Sequence, residues 1–539
     1  MKRRVLPGVT QYAVCSAAFL CFIILFTAIP AGAEFSLLDG DLILKGYVKN
    51  TTYIRTDMQK KDQRNHDSSI DLSKNSAYIM GQYKILDTPE NSLHFIASFK
   101  YWYEMATRWD TQLRRSIDSD LLKNYQQPRR FEEDVLTEFY ADYVHGPWDV
   151  RAGKQIVTWG ELDVDRAADV INPLDLRWGV PGVDAWEEVK RPMWLLRTTY
   201  QSNLPGNLLF ENVINPGYFV SSLPLPPPGS HWSADHQDDN AFTKKGPGIA
   251  SWVLDRWMKE AQHRKWNTKN FEIGFRVRGF TYNVDWTLLW WNAPDSGPVA
   301  KAKEITAFSA QYIYPALEDM LLFNKNISHD QIPNVMSYKH DCYDWKRYNT
   351  FGGTAQTTFQ DFMPSAVWRA EVAYTMNQAF NRGTGNSLSA VYDIKRQDAL
   401  AVAMSWSDKW KVPWFTQTIC RGKQLETTLT FYQQTIFNKP KDLVTNTYYI
   451  DKGKDDDTQQ KVSFFMQAYM FNYSWVFTFI GSFQPSGDRW MACPALSYVF
   501  PGEHWRADVG WVGYGTNRTY LRGSYYDKDS AFARVRYEF

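Results

Sequence analysis

The residues best able to act on a solute are charged side chains set two apart inside otherwise apolar segments. Arg276 and Arg278, Arg369 and Glu371, Arg506 and Asp508, and Arg534 and Arg536 are such pairs. A second group falls close together in the chain: Gln155, Asp163, Asp165, Arg166, Asp169, Asn172, Asp175 and Arg177. Positions two apart on a strand share a face. Such pairs give fixed rows of charge, which select polar and ionic solutes by attraction and repulsion. Covalent chemistry has less support. The nine His are scattered, with His263, His329 and His340 between apolar segments and no partner spacing for a triad. Asp455-Asp456-Asp457 stands beside Lys452 and Lys454 and reads as a solvated loop. No Cys/His cluster has metal-ligand spacing, so neither metal nor cofactor is expected.

The elements that must carry these charges are strands. Phe271, Ile273, Phe275 and Val277 interleave with Glu272, Gly274, Arg276 and Arg278. Trp368, Ala370, Val372 and Tyr374 interleave with Arg369 and Glu371, and Trp505, Ala507, Val509 and Trp511 with Arg506 and Asp508. Each segment therefore has one apolar face and one charged face. In a soluble sandwich the apolar faces would meet each other; in a membrane barrel they meet lipid and the charges line the lumen. Two features favour the barrel. Tyr and Trp recur near strand ends, as at Tyr101, Trp102, Trp290, Trp291, Trp490 and Trp505, where amphipathic rings suit the headgroup level. The last segment alternates Ala533, Val535, Tyr537 and Phe539 with Arg534, Arg536 and Glu538. A final amphipathic strand with a terminal Phe resembles the insertion signal read by the barrel-assembly machinery of bacterial outer membranes.

Connections alternate in length. Short turns fall at Asp87–Asn91, His145-Gly146-Pro147, Gln201–Gly206, Thr281–Asn283, Asn472–Ser474 and Pro501–His504, with long polar stretches between them near 106–134, 159–192, 216–270, 292–350, 378–397 and 438–460. Short periplasmic turns and long outer loops predict an all-β, transmembrane antiparallel barrel of about 18 strands, within a range of about 16–20. Segments 305–360 and 407–424 leave that count open, and Thr306–Tyr314 reads equally as strand or outer loop.

The first residues supply the export route. Lys2, Arg3 and Arg4 precede an apolar run from Tyr12 to Ile29, and Ala31-Gly32-Ala33 offers a cleavage site before Glu34. Residues 1–33 are thus expected to be a signal peptide and 34–539 a single outer-membrane barrel. The formal charge of +1 becomes −2 once the three basic residues at the start are gone, which argues against a nucleic-acid partner. A mean hydropathy of −0.46 with 16% aromatics suits strands that alternate between lipid and water. Cys342, Cys420 and Cys493 remain after cleavage, so at most one disulfide can form.

The stretch from Asp149 to Pro192 is the most informative connection. Asn172-Pro173 with Asp175 reads as a helix start, because Asn caps, Pro fits the first helical position and an acid suits the first turn. The segment has two possible homes, over the rim or folded into the lumen as a constriction. Lys154 shares a strand face with Val150, Ala152 and Ile156, so it should face lipid unless a bulge turns it or it reaches the interface. Farther on, Leu223–Gly229 reads as polyproline and Ala250–Gln262 as an amphipathic helix.

Residues 139–197 carry a resemblance. Gly153-Lys154-Gln155, Trp159-Gly160, Asp169, Asn172-Pro173-Leu174-Asp175-Leu176-Arg177 and Arg191-Pro192 resemble the bacterial outer-membrane proteins grouped as domain of unknown function 1302, as does Trp368–Thr375. The resemblance implies a barrel in outer-membrane lipid. It also implies neighbours of the resistance-nodulation-division (RND) exporter type and a periplasmic lipid-binding partner. The expected role is a channel or conduit for small, hydrophobic or lipidic molecules. A structural or adhesive surface barrel is one alternative. The other, an outer-membrane lipase or acyltransferase, would need a Ser/His/Asp group at the rim that is not evident.

Overall fold

The computed structural model describes residues 35–56, 70–106, 127–128, 131–175, 183–184, 186–218, 220, 266–297, 299–301, 343–359, 363–383, 391–421, 424–444, 458–485, 489–516 and 529–539. The signal segment, Arg177, Cys342, Leu223–Gly229, Ala250–Gln262, Thr306–Tyr314, Asp455–Asp457 and the three loop His fall outside the described residues.

Among these residues, eighteen strands form one closed antiparallel wall. In chain order they are β1 (Leu42–Arg55), β2 (Ile70–Asp87), β3 (Asn91–Glu104), β4 (Leu136–His145), β5 (Trp148–Gln155) and β6 (Met193–Gln201). Next come β7 (Leu209–Asn215), β8 (Glu272–Thr281), β9 (Val284–Pro294), β10 (Arg347–Phe359), β11 (Met363–Gly383) and β12 (Val391–Trp410). The last are β13 (Leu425–Ile436), β14 (Thr458–Met470), β15 (Trp475–Gln484), β16 (Arg489–Val499), β17 (Trp505–Thr516) and β18 (Ser530–Glu538). Each strand pairs with the next, and β18 returns to β1 with Tyr53 opposite Phe532 and Tyr47 opposite Glu538. Closure leaves no sheet edge unpaired, the condition for a sheet to cross a bilayer. At the seam Phe539 and Gly46 exchange both backbone hydrogen bonds, at 2.8 and 3.0 Å.

The two faces are chemically opposite. Leu196, Phe275, Leu288, Phe351, Met404, Val509 and Val535 point outward from their strands and are exposed. Aromatic pairs gather at the short-turn end: Trp148 with Tyr200, Trp475 with Tyr498 and Trp505 with Tyr537, at centroid separations of 4.6, 4.9 and 4.8 Å. An apolar belt bordered by such rings matches the hydrocarbon core and its interface. The short turns all lie at this end. The turn between β8 and β9 places Tyr282 and Asn283 at φ 50° and 61°, the twist that joins two antiparallel strands most tightly.

Three expectations are corrected. The segment 378–397 is mostly sheet: β11 and β12 continue in register from Gln378 opposite Gln397 to Gly383 opposite Val391, leaving 384–390 between them. Leu443–Val444 adds to this extension through Asn381 and Arg382. Its polar composition looked like loop because a hairpin rising beyond the wall has no apolar partner to face. The helix start at Asn172-Pro173 is not formed among the described residues. Leu174 instead bridges Lys190, with Asp175 N donating to Val189 O at 2.6 Å and Arg191 N to Pro173 O at 2.8 Å. Lys154 does sit on the outward face, opposite Phe139 and Trp194, yet it is buried. A single turn, Phe131–Val135, folds over it, and Nζ donates to the carbonyls of Glu132 and Leu136. Gly153 makes the close approach possible: its φ is +138°, and a Cβ there would stand 2.2 Å from the Phe139 carbonyl. Cys420 and Cys493 are both free and buried.

Candidate functional site

The connection after β5 does not rise over the rim. It turns into the lumen as a strap (residues 156–192, described at 156–175, 183–184 and 186–192) and is held by inward-facing side chains of strands from all round the wall.

The first latch is Trp159, which is fully buried. Its Nε1 donates to Glu211 Oε1 of β7 at 2.6 Å, while Glu211 Oε2 accepts from Arg276 Nη2 of β8 at 2.9 Å. The Arg276 guanidinium lies 5.8 Å from the Trp159 ring centre, and Trp291 of β9 meets that ring edge-on at 5.8 Å. Glycine at 274 clears the space, since a Cβ would come within 2.6 Å of the Trp159 ring and 2.3 Å of Trp291. Val157, Ala168 and Ile171 complete an apolar cluster with Met193, Leu195 and Val213 of the wall.

The second latch is Glu371 of β11. Its buried carboxylate accepts four strap N–H groups. Glu161 and Leu162 donate to Oε1, the latter at 2.8 Å; Ala167 and Ala168 donate to Oε2 at 2.7 and 2.8 Å. A carboxylate has about four lone-pair sites, so every one is filled by backbone, and the strap curls round a fixed charge rather than round its own side chains. Gly160 permits this curl, because a Cβ there would stand 3.2 Å from Glu371 Oε1 and 3.0 Å from the Asp169 Cβ. Leu162 and Ala167 pack beside it on Ala373 and Ala403.

Further latches complete the circuit. Asp165 accepts from Lys461 Nζ at 2.8 Å and Ser463 Oγ at 2.6 Å, both on β14. Glu188 accepts from Lys49 Nζ of β1 at 2.7 and 2.8 Å, and its carbonyl from Lys100 Nζ of β3 at 3.1 Å. Arg534 of β18 donates to Val183 O at 3.1 Å. Burial alone would raise the Glu188 carboxyl, but the ammonium groups of Lys49, Lys100 and Lys74 outweigh it and hold the group well below the ordinary carboxylate range.

Inside the strap, Asp169 pairs with Lys190 at 2.5 Å and Arg166 at 3.2 Å. Asn172 ties the two arms together, its Oδ1 accepting from Val157 N at 2.8 Å and its Nδ2 donating to Arg191 O at 2.8 Å. The N–H of Asp175, which a cap at Asn172 would receive, donates to Val189 O instead. The local preference of Asn-Pro loses to that long-range demand.

The other expected residues are placed as follows. Gln155 is buried at the end of β5, its Nε2 donating to Leu195 O at 3.1 Å. Asp163 stands 71% exposed, 3.9 Å from Arg369 Nη1. Asp175 lines a small cavity with Glu188 and Lys190. Arg278 pairs with Asp285 through Nε at 2.9 Å. Arg369 donates to Gln356 at 2.8 Å and Ser407 at 3.2 Å. Arg506 donates to Asp508 and to Ser497, each at 2.8 Å. Arg536 reaches Glu538 at 2.6 Å and lies 4.4 Å from the centre of the Tyr47 ring. Glu371, Arg276 and Arg534 thus meet the strap directly, with Arg369 close to Asp163. Arg278, Arg506, Asp508 and Arg536 instead pair with groups on their own or adjacent strands along the wall. Asp165, read from the sequence as part of the charged connection, does meet the wall, whereas Trp159, Glu211, Lys49, Lys100, Glu188 and Lys461 were not singled out as site residues, although all but Trp159 are charged. Among the described residues no group of three or more His, Cys, Asp or Glu is placed to hold a metal.

A closed wall with an apolar belt outside, charge inside and a strap across the lumen defines a porin-like transmembrane β-barrel of the bacterial outer membrane. The chain belongs to the family described as protein of unknown function DUF1302, whose model matches residues 16–539. No curated protein matches it. Among solved structures it is similar to Acinetobacter baumannii OccAB4, at 10% identity and a TM-score of 0.44, covering 93% of this chain and 98% of that one. It is also similar to Pseudomonas aeruginosa OpdK with vanillate, at 9% identity and a TM-score of 0.42 over 93% and 98%. Salmonella typhi OmpF in complex with daunomycin aligns at 10% identity and a TM-score of 0.40 over 94% and 100%.

Proposed function

We propose that the barrel is a channel for small or amphipathic molecules and that the strap is its constriction, with Glu371 and the Trp159–Glu211–Arg276 group as the main fastenings. The observation that carries this reading is the spread of the latches. Strap partners stand on β1, β3, β7, β8, β11, β14 and β18, so anything moving along the lumen must pass beside the strap. A rim cap would be held by neighbouring strands alone. Fixed charges remain on the wall away from the strap's latches, at Arg278, Arg506 and Arg536, and these would sort what passes by charge. The finer part of the proposal, a place beside an RND-type exporter with a periplasmic lipid-binding partner, rests on the family resemblance alone.

The test is planar-bilayer conductance of Glu371→Gln beside the wild type, with barrel integrity checked by heat-modifiable gel mobility. More frequent or larger openings in the variant support the reading. Equal behaviour from two folded barrels argues for a strap that only braces the wall.

A further inference from the structure

The longest connection at the short-turn end joins β12 to β13. It runs through fourteen residues, 411–424, against seven at most elsewhere at that end. It holds three basic residues, Lys411, Arg421 and Lys423, and no acid; Gly422 and Lys423 lie outside the described residues. Phe415–Ile419 forms one helical turn, with Thr416 N donating to Val412 O at 2.8 Å. Val412, Thr416 and Cys420 fall four apart, and the last two are buried. Pro413, Trp414, Gln417, Thr418 and Arg421 are exposed, Trp414 to 69%.

The turn lies against the outside of the wall. Phe471 N, just past the end of β14, donates to Ile419 O at 2.9 Å. Ala468 points outward from β14, in one row with Leu425 of β13 and Trp410 of β12, yet it is only 1% exposed. Ala152, Ala370, Ala507 and Ala533 also point outward, and none of them is buried. The turn tied to Phe471, three residues beyond, is the element placed to cover Ala468. Its rings extend an outward row: Trp368 stacks on Trp406 at 6.1 Å, Trp406 meets Trp410 edge-on at 5.7 Å, and Trp414 meets Phe415 edge-on at 5.8 Å. Lys411 and Arg421, at the two ends of the segment, are exposed and make no ion pair among the described residues. The acids nearest in the chain are engaged: Asp408 accepts from Ser365 Oγ at 2.5 Å, and Glu426 pairs with Lys409 at 3.2 Å.

We propose that residues 411–421 form a shelf in the periplasmic leaflet of the outer membrane and bind an anionic glycerophospholipid there. Lys411 and Arg421 take the headgroup phosphate. Trp414 and Phe415 lie at the glycerol level, where rings with an apolar body suit the boundary between headgroup and acyl chain. Two observations favour lipid over a periplasmic protein as the occupant. The shelf continues a belt of rings that already meets the bilayer, and basic residues without acids complement the negative surface of a phospholipid leaflet. The inference is independent of the channel reading, since it involves neither the strap nor an open lumen.

The experiment is native mass spectrometry of the whole barrel released from neutral detergent micelles. The probe is dioleoylphosphatidylglycerol, with dioleoylphosphatidylcholine as the zwitterionic control. A basic group beside an anionic lipid surface contributes about fivefold to binding. Wild type should therefore retain the anionic lipid at a concentration about twentyfold lower than the control. Lys411→Gln with Arg421→Gln should remove that preference and leave retention of the control lipid unchanged. Trp414→Ala should weaken both lipids alike. Either basic substitution alone should cost the anionic lipid about fivefold, which decides the matter if the double variant does not fold. Equal retention of phosphatidylglycerol by wild type and the basic variants, or equal loss of both lipids in those variants, overturns the proposal and leaves the surface to a periplasmic protein.

Discussion

Replacing Glu371 by Gln keeps the shape of the side chain and removes half of its accepting capacity. Oε1 takes N–H groups from Glu161 and Leu162, and Oε2 takes those of Ala167 and Ala168. An amide keeps one oxygen and sets an NH₂ donor against the other two N–H groups. Two hydrogen bonds to a charge are lost, at about 1.5–3 kcal/mol each. The sum is about 3–6 kcal/mol, and the lower end applies because a released strap can bond to water. About 3 kcal/mol is roughly a hundredfold in the ratio of undocked to docked strap. Limited proteolysis of the folded barrel reads that ratio directly. The strap of the variant should be cut far faster than that of the wild type, while the barrel keeps its heat-modifiable mobility. Equal cutting rates in the two proteins would refute the assignment of Glu371 as a principal latch.

Gly274→Val should displace Trp159 and Trp291 from the wall, raise strap cleavage in the manner of Glu371→Gln, and shift tryptophan emission toward that of exposed indole. Acid should loosen the strap at Glu188. Its carboxyl is held below the ordinary value of 4.5, so the released strap binds more protons than the docked one and docking weakens as pH falls below that value. Strap cleavage by an acid-active protease should stay flat from neutrality to about pH 5 and climb below it, with a smaller climb in Glu188→Gln. Lys154→Met leaves the carbonyls of Glu132 and Leu136 without their donor. It should destabilise the barrel by about 1–3 kcal/mol in urea unfolding and leave conductance unchanged, because Lys154 lies on the outward side of the wall.

Strands and faces were legible because each is a local pattern of period two, and the apolar residues it marks, such as Phe275 and Val535, do meet the outside. The closing strand was equally plain, since Arg534 and Arg536 alternate with Ala533 and Val535. What local pattern could not supply is the path of the strap. Asp165 meets Lys461 across 296 residues and Leu162 meets Glu371 across 209. Those pairings depend on where the wall curves round, which no short window encodes. Asn172 illustrates the conflict: its neighbours favour a helix cap, while partners 15 and 19 residues away claim both ends of its amide. Trp291 misled in the same way. Near a strand end beside Trp290 it reads as an interfacial ring, yet its parity turns it inward onto Trp159.

The most direct test of the central claim is single-channel conductance of the refolded chain from Glu34 onward in a planar bilayer, with and without residues 160–190. The account predicts steady conductance that rises markedly when the strap is removed. Silence in both forms, from protein shown to be folded and inserted, would contradict it and leave a barrel that holds its lumen closed for some purpose other than passage.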